Sequence, residues 1–158
     1  MFAPRPDDVA KEMVRVTKAG GTIVMGNWIP GDPTLVAQIL KTCAAYSPAP
    51  PEGFVSPMLW GQEEKVAERF VAAGIDRAQI SFQKDIFRFD FAGTAAEAVD
   101  RFRHYYGPTM NAFEAAAKDG REEELQQELV ALFDRQNEGG EGHTQIPAAF
   151  LRVTAKKG

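Results

Sequence analysis

The chain has 158 residues, 44 % of them hydrophobic and 25 % charged, which is the composition of an ordinary globular domain with one core. Its formal net charge of −4, with Lys and Arg scattered among acids, excludes the basic field that a nucleic-acid partner requires. A lone cysteine, Cys43, excludes an intrachain disulfide and any multi-cysteine metal site. In chain order, Asp7 or Asp8 is placed to cap a helix with Val9, Met13 and Val16 on one face, stopped by Gly20. Thr22 to Trp28 then forms a nearly unbroken apolar run, the pattern of a strand covered on both faces and central in a sheet. Asp32 and Pro33 read as cap and first turn of the next helix, in which Leu35, Val36, Ile39, Leu40 and Cys43 make one wide core face and the thiol is buried.

Between Ser47 and Pro57 four prolines and a glycine interrupt all periodicity, so this is a rigid surface loop ending in Met58-Leu59-Trp60. A helix from Gln62 to Ala73 buries Val66 and Phe70 and closes at Gly74. From Gln79 to Phe91 a long strand alternates in two phases, Ile80 and Phe82 first, then Phe87, Phe89 and Phe91, with a bulge or bend expected near Asp85–Ile86. Thr94 and Glu97 form a capping box for a helix that turns Val99, Phe102 and Tyr106 inward and stops at Gly107-Pro108, with a short helix around Met110 and Phe113 after it. Arg121 to Arg135 is an amphipathic helix, Glu138 to Gly142 a turn, and Phe150 to Ala155 a final strand with a frayed basic end. The order predicts one α/β domain over residues 1–158, with a mixed sheet. No segment reaches the roughly 18 apolar residues of a membrane span, and no basic stretch followed by an apolar one opens the chain, so a cytoplasmic location without membrane contact is expected.

Three strands are few for a sheet that is to bury one of them on both faces and both edges. An unpaired apolar edge recruits another chain, which predicts a homodimer or a partner closing the Thr22 to Trp28 strand.

The run Met1-Phe2-Ala3-Pro4, the helix end Glu12-Met13-Val14-Arg15-Val16-Thr17-Lys18-Ala19-Gly20-Gly21 and the strand from Thr22 to Trp28 together resemble the middle of bacterial class I S-adenosylmethionine-dependent methyltransferases. The similarity is to the ubiquinone/menaquinone-biosynthesis-like type, methyltransferase type 11 branch. Ser56-Pro57-Met58-Leu59-Trp60-Gly61, the stretch from Phe102 to Thr109, and Pro147-Ala148-Ala149-Phe150-Leu151 resemble the C-terminal stretches of that family. The resemblance implies a partial Rossmann-like sheet: the last three of seven strands, the final one inserted antiparallel between the other two. It also implies that the cofactor-binding half is absent, since no glycine-rich loop follows a strand here and Gly139-Gly140-Glu141-Gly142 follows a helix. A misplaced start codon, a shortened gene or a trimmed chain would look alike. On this reading the chain is a substrate-side fragment, inactive alone. It holds no cofactor itself, S-adenosylmethionine belonging to the full-length family, and its partner is the N-terminal half or a second copy. The alternative is a non-enzymatic small-molecule-binding or dimerisation module derived from the same fold.

Five residues are candidates for binding a small-molecule acceptor. Trp28 ends the first strand, where α/β folds place ligands, and either lines a pocket or packs the core. Trp60 either belongs to a lid or anchors the proline-rich loop. His104, Tyr105 and Tyr106 carry polar tips beside a helix end, suited to orient an acceptor or bind its proton, or else form an aromatic face packed on the sheet. His104 and His143 lack companions for a metal, Glu122-Glu123-Glu124 complements a helix dipole, and no arrangement supports hydrolytic catalysis, so no catalytic, cofactor-binding or metal role is assigned.

Overall fold

The computed structural model describes residues 3–158; Met1 and Phe2, which open the run carrying the resemblance, lie outside the described residues. In chain order the elements are α1 (Pro6–Val16), β1 (Thr22–Trp28), α2 (Leu35–Ala44), α3 (Glu63–Ala72), β2 (Ile80–Phe91), α4 (Ala95–Tyr105), α5 (Gly107–Lys118), α6 (Glu122–Gln136) and β3 (Thr144–Lys156). The chain is therefore α/β, with six helices and three strands among the described residues. The strands lie in the order β1-β3-β2. β3 runs antiparallel to β1, from Thr22 opposite Lys156 to Trp28 opposite Phe150. Across from β2, Gln145 reaches Asp90 and Arg152 reaches Gln83, an antiparallel register again. The sheet is thus antiparallel where a mixed one was expected. β1 and β2 run the same way but never touch, because β3 lies between them.

Contacts divide the chain into two compact units. The first comprises the described residues up to Pro30, with Pro51–Asp85 and Ala149–Gly158. In its core Ala10 and Val14 of α1 and Val66 and Phe70 of α3 meet Val153 and Ala155 of β3, and Ile23 and Met25 of β1 pack against them. Neither Asp7 nor Asp8 caps α1. Arg5 holds that position without a side-chain bond and the helix starts on Pro6, which puts both acids in the first turn, where the dipole favours them. β1 is not the doubly covered central strand that its composition suggests. It ends the sheet, and its burial alternates, with Ile23, Met25 and Asn27 inward and Val24 62 % exposed. The central place belongs to β3. Nor is the basic terminus frayed: Lys157 exchanges backbone hydrogen bonds with Gly20 and Gly21, and its Nζ donates to the Val14 and Thr17 carbonyls at 2.9 and 2.7 Å, closing the end of α1.

The second unit comprises Gly31–Pro50 and Ile86–Ala148. α2 starts two residues later than Asp32-Pro33 implies: Thr34 is the N-cap residue, and Asp32 Oδ1 accepts from the Thr34 backbone N–H (2.9 Å) and hydroxyl (2.6 Å), building the turn before the helix. Cys43 is buried, 3 % exposed. Thr94 and Glu97 make the full capping box of α4. Gly107-Pro108 does end that helix but also opens α5, a full twelve-residue helix, since proline suits a first turn. Phe87 and Phe89 of β2, Phe102 of α4 and Phe133 of α6 form an edge-to-face aromatic chain with centroids 5.0 to 5.3 Å apart.

β2 runs unbroken from Ile80 to Phe91. Its phase change comes from serving two cores, with Ile80 and Phe82 in that of the first unit and Phe87 and Phe89 in the aromatic chain of the second. β3 begins six residues earlier than Phe150 because Pro147 is tolerated. Its pairing with β1 covers only Phe150 to Lys156, so at Pro147 that side of β3 needs no donor.

Candidate functional site

The strongest concentration of unusual side chains lies in the first unit, around the C-terminal end of β1. Trp28 is half-buried there, its ring edge-on to Phe150 at 6.3 Å. Its carbonyl stands so close to Gly61 that no side chain fits at that position. Trp60 precedes Gly61 in a 3-10 turn, Pro57–Gly61, whose start is fixed by Ser56 Oγ accepting from the Met58 N–H. Only 2 % exposed, Trp60 packs edge-on to Phe70 at 6.4 Å and carries the Arg69 guanidinium 4.6 Å above its ring. It anchors the proline-rich loop to α3.

Two further residues of this unit stand out, and neither was anticipated. Asn27, 5 % exposed, points inward from β1 with its Nδ2 unpartnered. Arg69, 7 % exposed, reaches Asp7 with Nε at 3.3 Å from Oδ1, while its Nη1 is buried without a partner. Both unsatisfied atoms are donors, so the site is short of acceptors. Both were open to detection: Asn27 continues the inward phase of Ile23 and Met25, and Arg69 lies on the face of α3 that carries Val66 and Phe70.

A cleft of about 380 Å³ opens on the same unit, lined by Ala3, Pro4, Pro51, Phe54, Val55 and Pro57. Phe54 is 55 % exposed on its wall. Three prolines and the Phe54 ring make the lining largely apolar, with Glu52 among it.

His104, Tyr105 and Tyr106 belong to the second unit and do not converge. The His104 Nδ1 lies 2.8 Å from the Asp100 carbonyl and 3.2 Å from its carboxylate, on the helix surface. Tyr105 is 77 % exposed. Tyr106 turns toward Phe102, with ring centroids 5.6 Å apart, and burial pushes its phenol up to about 12, so it stays protonated at neutral pH. No cluster of three or more His, Cys, Asp or Glu side chains suited to a metal occurs among the described residues, and no helix among them is long and apolar enough to cross a membrane.

No family model matches the chain. It is 33 % identical over 117 residues to an uncharacterized protein of Mycobacterium bovis, a match that takes in 74 % of this chain and 41 % of the relative. An uncharacterized protein of Mycobacterium tuberculosis matches to the same extent, and a second one is 31 % identical over 113 residues, 72 % of this chain and 39 % of that protein. The chain thus spans about two fifths of the length of the curated relatives it matches.

Proposed function

We propose that this chain is the substrate-side part of a cytoplasmic class I S-adenosylmethionine-dependent methyltransferase acting on a small molecule, and that it catalyses nothing alone. The observation that carries the reading is the strand order. The last strand in sequence returns antiparallel between the first two, which is the closing arrangement the family resemblance implies for strands five, seven and six. The place of β1 at the end of the sheet and the relatives' greater length support it, since both are compatible with a further half that would hold the cofactor.

The residues here do not cradle that cofactor. β1 is followed by Ile29-Pro30-Gly31-Asp32, with no run of glycines to bring a backbone against a ligand. What this chain contributes is a wall for the acceptor: the half-buried Trp28 at the end of β1 and, as a separate surface, the cleft around Phe54. Methyl transfer depends mainly on aligning donor and acceptor, so a rigid apolar wall is a sufficient role.

Calorimetric titration with S-adenosylmethionine tests this. A mycobacterial relative of full length is expected to bind it saturably in the micromolar range, and this chain to give no heat. A relative that fails to bind removes the methyltransferase reading. Saturable binding by this chain alone removes the claim that it is the substrate side only.

A further inference from the structure

We draw no further inference here: the strongest candidate, the half-open chain of aromatic rings formed in the second unit by Phe87 and Phe89 of β2, Phe102 of α4 and Tyr106 just after it, is an apolar patch for which nothing in the structure shows what covers it.

Discussion

Gly61 is fixed by its neighbour rather than by its own backbone: a methyl group there would run into the Trp28 carbonyl, which belongs to a strand and has little freedom to move. Gly61→Ala is therefore expected to destabilise by about 1–3 kcal/mol, as overpacking does, and a urea titration checks it. Arg69 invites the opposite expectation. Its stem lies over Trp60 and its Nη1 is buried without a partner, so packing holds it while its charge is only partly compensated. Arg69→Met keeps the stem and removes the orphaned donor, and it should leave stability unchanged or raise it. Arg69→Ala removes the stem as well and should cost about 2 kcal/mol or more. Equal losses in the two variants would refute this account. At Cys43, burial pushes the thiol from its ordinary 9.0 up to about 12. The folded chain holds this proton more tightly than the unfolded one, so the contribution is fully present below pH 9 and is lost as pH rises toward 12. Cys43→Ala should accordingly show a shallower alkaline decline in melting temperature than the unaltered chain, and the native thiol should resist thiol-directed reagents.

Local patterns settle most of the elements. The capping box of α4 was legible in four letters because the chemistry is confined to them: Glu97 Oε2 accepts from the Thr94 N–H at 2.8 Å, and the Thr94 hydroxyl oxygen accepts from the Glu97 N–H at 3.3 Å. Thr94→Ala should cost about 1 kcal/mol by thermal or urea unfolding. The Thr94 backbone N–H first, and its side chain second, hold the Glu97 carboxyl below its ordinary 4.5. That stabilisation is present above pH 4.5 and is lost as pH falls through the lowered value, so Glu97→Gln should be less stable than the unaltered chain at neutral pH and should converge with it in acid. Where the sequence misled, a distant partner decided the outcome. An apolar run such as Thr22 to Trp28 is the same whether the cover is present or merely provided for, and here the strand ends the sheet and leaves Val24 exposed on one face. Pro147 reads as a breaker until the extent of the β1 pairing is known. Asn27 and Arg69 carried a signal in their phase, but Trp28, Trp60, Tyr105 and Tyr106 drew attention by residue type instead, and of these Trp60 turned out to be an anchor.

At the scale of the whole chain, connectivity bears on cooperativity. The two compact units are not consecutive stretches of sequence: the chain enters the second at Gly31, leaves it at Pro50, re-enters at Ile86 and leaves it again at Ala148. Two of these crossings fall inside strands, since β2 runs through Asp85–Ile86 and β3 through Ala148–Ala149 without interruption. Gln145 opposite Asp90 and Arg152 opposite Gln83 keep each unit's share of β2 against that unit's own share of β3, so what couples the units is the continuity of the two strands: unfolding either leaves its neighbour with two frayed strand ends, and the two are expected to melt together. Two probes that report different units make this measurable. Both tryptophans, Trp28 and Trp60, belong to the first unit, whereas four of the six helices, α2, α4, α5 and α6, belong to the second and dominate the far-ultraviolet circular dichroism. Urea curves followed by tryptophan fluorescence and by far-ultraviolet dichroism are expected to coincide in midpoint and slope. A fluorescence transition clearly separated from the dichroism transition would show that the shared strands do not couple the units. A substitution confined to one core then separates coupling from coincidence: Phe133→Ala, in the second unit and only 2 % exposed, should move the tryptophan curve as far as the dichroism curve, although no tryptophan lies in its own unit.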